Sequence, residues 1–139
     1  MTSALLSQYR IMVIDDQAYT RKLITGILRE NGALSIIEAE EGASALKMLR
    51  ATGGASATVP HVIVCDVNME PMGGLEFVKR LRESENPAAR KVPIIFLTGE
   101  ARADIVAEAI DMAVEGFILK PVTPVKLITK IKQVLSLPG

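Results

Sequence analysis

His61-Val62-Ile63-Val64-Cys65-Asp66 is the stretch on which the fold turns: four apolar residues, three of them β-branched, run without a break into a carboxylate. A strand with one wet face alternates apolar and polar residues, whereas a strand covered on both faces reads as a continuous apolar run. The same signature stands upstream in Ile11-Met12-Val13-Ile14, which runs into Asp15-Asp16, and downstream in Pro93-Ile94-Ile95-Phe96-Leu97, which runs into Thr98. A fifth run, Gly116-Phe117-Ile118-Leu119, leads into Lys120, and Ser35-Ile36-Ile37-Glu38-Ala39 alternates as an edge strand does.

Between these runs, apolar residues recur at three- and four-residue steps, which predicts one buried face per helix. The stripes are Leu23, Ile24, Ile27 and Leu28; Ala45, Leu46 and Leu49; Leu75, Val78 and Leu81; Ile105, Val106, Ala109, Ile110 and Ala113; and Leu127, Ile128, Ile131, Val134 and Leu135. Asn31-Gly32 is a stop signal for the first helix. Thr123-Pro124 reads as an N-cap followed by proline in the first helical position. Residues 52–58 read as a solvated Gly/Ala/Ser loop, and Ser84 to Lys91 as a polar connection containing Pro87.

Five βα units in succession predict an α/β domain, doubly wound, with right-handed crossovers. Five strands without a sixth favour a parallel sheet in order 2-1-3-4-5, the flavodoxin-like arrangement, whose switch point lies between the first and third strands. Asp15, Asp16, Asp66, Thr98 and Lys120 then share the carboxyl rim of the sheet, and the three carboxylates converge. Two like charges 4 Å apart repel by about 1 kcal/mol in water and about 4 kcal/mol at an effective dielectric near 20. Protonation or a cation must relieve this, and an all-oxygen, partly hydrated site suits Mg²⁺. A carboxylate can act as nucleophile toward a phosphoryl group, giving an aspartyl-phosphate. That chemistry needs positioning and charge neutralisation, for which Lys120 and the Thr98 hydroxyl are suitable donors.

Composition narrows the classes. The chain has 139 residues, 49% of them apolar and 4% aromatic, with no Trp, so an ordered single domain with an aliphatic core is expected. Sixteen basic residues balance sixteen acidic ones, which argues against a nucleic-acid-binding face. No stretch has the length of a membrane span or the pattern of a leader peptide, and Cys65 stands alone, so a cytoplasmic protein without disulfides is expected.

With these residues in place, the chain resembles the receiver domains of two-component response regulators, in particular stand-alone ones of the chemotaxis CheY type. The matching pieces are Val13-Ile14-Asp15-Asp16, Val64-Cys65-Asp66-Val67-Asn68-Met69 with Gly74 downstream, Ile95-Phe96-Leu97-Thr98-Gly99 and Gly116-Phe117-Ile118-Leu119-Lys120-Pro121. The match covers about residues 8–136, so residues 1–139 are expected to be one receiver domain with no output domain. The resemblance implies that Asp66 is the phospho-acceptor, that Asp16 binds Mg²⁺ directly and Asp15 largely through water, and that the Asn68 backbone carbonyl completes the metal ligands with Asp66. It implies that Thr98 is the switch hydroxyl, Phe117 the aromatic that turns inward with it, and Lys120 the phosphate-binding lysine, before a bond to Pro121 that is cis in many such domains. It implies a signalling protein that catalyses only its own phosphorylation and dephosphorylation. The donor would be a histidine kinase or histidine phosphotransfer protein, docking near Ala18, Tyr19 and Lys22. An unidentified output protein would read the face of the fourth helix, fifth strand and fifth helix, with Arg102, Asp104, Glu108, Phe117, Lys126 and Lys130. A monomer or weak dimer is compatible. The family more often has proline at Glu70, an acidic residue at Gly73, alanine at Gly99 and tyrosine at Phe117.

Blander readings compete. Asp15-Asp16 can cap a helix, Thr98 can satisfy a turn, and Phe117 can simply pack. His61 has no second histidine with which to share a metal and reads as structural; Cys65 and the methionines read as core. Among functions, a phosphorelay intermediate or phosphate sink shares the chemistry without a dedicated output partner. An aspartate-nucleophile phosphatase would want a second aspartate at Asn68, and a flavin-binding protein would want a phosphate loop where Asp15-Asp16 stand. A pseudo-receiver would not need the full polar set.

Overall fold

The apolar runs form five strands, β1 (Arg10–Ile14), β2 (Ser35–Ala39), β3 (Val62–Asp66), β4 (Ile94–Thr98) and β5 (Gly116–Leu119). Among the described residues six helices accompany them: α1 (Ala18–Glu30), α2 (Gly42–Arg50), α3 (Gly74–Arg82), α4 (Pro87–Arg90), α5 (Ala103–Asp111) and, after the last strand, α6 (Pro124–Val134). These come from a computed structural model that describes residues 4–51, 59–100 and 102–137. The expected loop at 52–58 lies outside the described residues.

All strand pairs are parallel, and the sheet order is β2-β1-β3-β4-β5. β3 and β4 are buried at every position, as their unbroken apolar runs require, while β2 at one margin is only partly covered. Side chains alternate across the sheet and feed two cores. Ile11, Val13, Val62, Val64, Ile95 and Leu97 pack with Ile24, Ile27 and Leu28 of α1 and Leu127 and Ile131 of α6. Met12, Ile14, Ile63, Cys65, Ile94 and Phe96 pack with α2, with Phe77, Val78 and Leu81 of α3, and with Ala109 of α5.

The helix ends follow the punctuation. Gly32 takes φ 89° just beyond α1, and the Thr123 side chain accepts a hydrogen bond from Lys126 N ahead of Pro124. Three expectations need correction. The polar connection at Ser84 to Lys91 contains a helical turn, α4, because Asn86 caps it through a hydrogen bond from Ala88 N and Pro87 presets its first φ. Leu23 is 40% exposed and Ile110 63% exposed, and Ala113 is also exposed, so none belongs to the buried stripe that periodicity drew. On α5 only Ala109 is buried, with Ile105 and Val106 partly so. The helix connects β4 to β5, the strand at one margin of the sheet. Finally, Phe77, which the α3 stripe omitted, is fully buried there.

Candidate functional site

Strand register brings the carboxylates together. Ile14 pairs with Cys65, so Asp15 and Asp66, each one residue further on, stand side by side at the carboxyl ends of β1 and β3. Backbone ladders continue past the strands: Asp15 N donates to Ala39 O at 3.2 Å, Val67 N to Leu97 O at 3.0 Å, and Lys120 N to Thr98 O at 2.8 Å. The rim residues therefore hang from hydrogen-bonded backbone rather than from free loops. Gly74 closes the same region. A Cβ there would lie 2.5 Å from Asp66 O and 2.9 Å from the Phe96 ring, so α3 can start this close to β3 only from glycine.

One carboxylate oxygen from each of Asp15, Asp16 and Asp66 lies within 4.8 Å of the others. Asp15 is fully buried, Asp66 is 4% exposed, and Asp16 faces solvent. Asp15 Oδ1 accepts from Gln17 N at 2.8 Å, and Asp66 Oδ1 from Asn68 N at 3.2 Å. Lys120 Nζ donates to Asp66 Oδ2 at 3.0 Å and stands 3.8 Å from Asp15 Oδ2. Asp15 Oδ2 is buried without a hydrogen-bond partner. Burial, opposed by the Gln17 amide and reinforced by the charge of Asp66, holds the Asp15 carboxyl above the usual carboxylate range. An orphaned buried oxygen amid three carboxylates, with one lysine to balance them, is a donor set that fits a hard divalent cation. Asp16 and Asn68 line a cleft beside it with Glu70, Glu76 and Ile105.

The remaining expected residues fall into two groups. The Thr98 hydroxyl donates to Glu100 O at 2.6 Å and accepts from Glu100 N at 3.2 Å, so it is turned into its own loop rather than bonded to Asp66. Phe117 is half-buried, tilted against Phe96 with ring centroids 6.1 Å apart, and lines a second cleft with Leu119, Val125, Lys126 and Lys130. Lys126 Nζ is tied to the carbonyls of Leu119 and Pro121 at 3.2 Å each. Arg102 pairs with Asp104 at 2.8 Å. The Lys120-Pro121 and Glu70-Pro71 bonds are both cis. His61 is structural, as its sequence context implies: Nδ1 accepts from Arg10 N at 2.9 Å, which leaves the proton on Nε2 of a neutral ring, and the ring meets Tyr9 edge-on.

Two participants escaped the sequence reading. Arg21 Nη1 donates to Asp15 O at 2.6 Å, while its Nε lies 3.5 Å from Glu38. Glu41, the N-cap of α2, reaches to Met72 in the loop after β3. Arg21 lies in the first turn of α1 and Glu41 is the N-cap of α2, and nothing in their spacing marks them off from solvent-facing neighbours.

The response regulator receiver domain model matches residues 11–132. The chain is 30% identical over 127 residues to the chemotaxis protein CheY of Pseudomonas aeruginosa, covering 91% of this chain and 96% of that one. Its fold is similar to that of Vibrio cholerae chemotaxis protein CheY4, with TM-score 0.80, 28% identity, and coverage of 91% and 98%. It is also similar, at TM-score 0.82, 24% identity and 96% coverage of both chains, to the receiver domain of the Arabidopsis thaliana histidine kinase CKI1, a structure complexed with Mg²⁺. Among the described residues no helix is long and apolar enough to cross a membrane.

Proposed function

This chain belongs to the response regulator receiver family, and on that premise we propose that it is a phospho-acceptor switch with Asp66 as the acceptor. The observation that carries the reading is the pairing of Asp66 with Lys120 at 3.0 Å beside the orphaned Asp15 Oδ2. Asp66 is buried enough to be sheltered, yet its Oδ atoms are oriented by Asn68 N and Lys120 Nζ. A carboxylate oxygen attacks the phosphorus of a phosphohistidine donor; the new O–P bond forms as the P–N bond breaks, and the electron pair leaves with the imidazole. Lys120 stays beside the oxygens that carry the transferred charge. Asp15, Asp16 and Asp66, with the Asn68 carbonyl, would hold Mg²⁺, which when bound supplies charge neutralisation for the phosphoryl oxygens. Water attack on the phosphorus later releases inorganic phosphate and regenerates the Asp66 carboxylate.

The switch follows from where Thr98 and Phe117 now stand. The new phosphoryl group carries about −1.5 to −2 charges and strong acceptor oxygens. It competes with Glu100 O for the Thr98 hydroxyl proton, and Phe117 follows into the space vacated on the β5 side. The face altered is α5–β5–α6, where an output protein would dock; the donor would be a histidine-phosphorylated protein meeting α1 near the exposed Tyr19. Incubation with acetyl phosphate and Mg²⁺, followed by intact-mass measurement, tests the acceptor. Wild type should gain one phosphoryl group and Asp66→Asn none; equal labelling of both would remove Asp66 from the role.

A further inference from the structure

The loop between β3 and α3 carries Asn68 and Glu70 into the cleft beside Asp16. Its near end is held where Gly74 N donates to Val67 O at 2.9 Å. Its far end is gripped from α2. Gly42 N donates to Met72 O at 2.9 Å, and Met72 N donates to Glu41 Oε1 at 3.3 Å. Both backbone polar groups of one loop residue are thus taken by two consecutive residues of another element. A Cβ on Gly42 would lie 2.7 Å from Met72 Cγ and 3.0 Å from Met72 O, so the glycine lets the loop sit against the helix.

Glu41 also caps α2. Its Oε1 accepts from Ala43 N and its Oε2 from Ser44 N, each at 2.9 Å. Capping alone does not need glutamate, since Asp, Asn or Ser does it at least as well with a shorter reach. The longer side chain is what lets one carboxylate cap the helix and hold Met72 together. Desolvation acts to raise its pKa, but the amides of Ala43, Ser44 and Met72 outweigh it and keep Glu41 below the usual range, ionised and able to accept all three bonds.

Resting on the phospho-acceptor reading, we infer that Glu41 and Gly42 are positioning residues for the site: they latch the Met72 end of the loop so that the Asn68 carbonyl and Glu70 keep their places beside Asp16 and Asp66. Groups that orient metal ligands typically change metal affinity by roughly 10- to 100-fold when removed. One remote loop anchor should fall near the lower end of that range.

The test uses the full chain, with Glu41→Asp, which retains the cap but cannot reach Met72, and Gly42→Ala, which retains Glu41 but displaces Met72. Amide exchange at Met72, Mg²⁺ titration followed by the amide resonances of residues 67–73, and urea stability are measured alongside acetyl phosphate labelling. In Glu41→Asp, Met72 protection should fall and Mg²⁺ affinity should drop about tenfold, while urea stability stays near wild type. Gly42→Ala should show the same pair of losses and decides the matter if Glu41→Asp proves unstable. Unchanged Mg²⁺ affinity in both variants, whatever happens to stability, reduces Glu41 to a helix cap and overturns the inference. A wild type that binds Mg²⁺ but takes no phosphoryl group would instead overturn the phospho-acceptor reading and leave the latch to be judged by the metal titration.

Discussion

Asp15 shows how a single residue can be poorly placed for stability and well placed for a site. Its carboxyl is fully buried, one oxygen lacks a hydrogen-bond partner, and the repulsion of Asp66 is only partly offset by Lys120 Nζ at 3.8 Å. Burial raises its folded-state pKa above the unfolded value, so the native state holds the proton more tightly. Its contribution to stability is therefore most favourable below the unfolded pKa and is lost as pH rises through the folded one. At neutral pH without Mg²⁺, Asp15→Asn should be more stable than wild type by about 1 kcal/mol, the scale of one like-charge contact. The amide keeps an acceptor for Gln17 N and removes one of the charges crowded around Asp66. Urea denaturation at pH 7 and pH 4 should show the advantage shrinking at the lower pH. Mg²⁺ should stabilise wild type more than the variant, because it binds the native site alone. A variant less stable than wild type at pH 7 would mean that Asp15 is already compensated.

At the scale of elements, the helix ends are built alike. Beyond α1, α5 and α6, the residue in left-handed conformation is Gly32, Ala113 and Ser136 respectively. In each case the next N–H bonds back five residues: Ala33 to Leu28, Val114 to Ala109 and Leu137 to Lys132. Only the first uses glycine. Ala113, at φ 58°, carries the cost of a Cβ in that region, about 1–2 kcal/mol. Ala113→Gly should therefore raise stability by about 0.5–1 kcal/mol after the greater freedom of glycine in the unfolded chain is subtracted. Thermal and urea unfolding check this; a loss of stability would show that the Ala113 side chain has a packing role. The position matters because Arg82 gathers the elements around it, donating to the carbonyls of Met112, Ala113, Arg90 and Val92 and pairing with Glu115 at 3.3 Å. One guanidinium thus joins the ends of α3, α4 and α5 to the start of β4.

For the whole molecule, two cores on either face of one sheet make the centre rigid and the α5 side loose. β1, β3 and β4 sit between buried layers, whereas α5 contributes Ala109 alone as a fully buried residue. Hydrogen exchange should accordingly show α5 amides exchanging faster than those of α1 by at least about tenfold, through local opening that does not require global unfolding. Uniform protection across the helices would contradict a loosely seated α5. The strands, their order and the carboxyl-rim polar set were legible in the sequence, because burial on two faces leaves unbroken apolar runs and each rim residue directly follows or ends one. The exposure of Leu23 and Ile110 was not, since periodicity marks a helix face without saying how far the neighbouring sheet extends beneath it. Nor were Arg82, Arg21 and Glu41 legible, since a charged residue that reaches a distant carbonyl or amide reads along the chain like one facing water. What the chain alone determined was Asp66, its acidic neighbours and Lys120 as one set, through strand periodicity and parallel order. Tertiary structure decided that Asp15 would be buried with one oxygen outside any hydrogen bond, that Thr98 would rest on Glu100, and that Met72 would be held at the start of α2, because each depends on side-chain contacts between segments far apart in sequence or on where a rotatable hydroxyl settles.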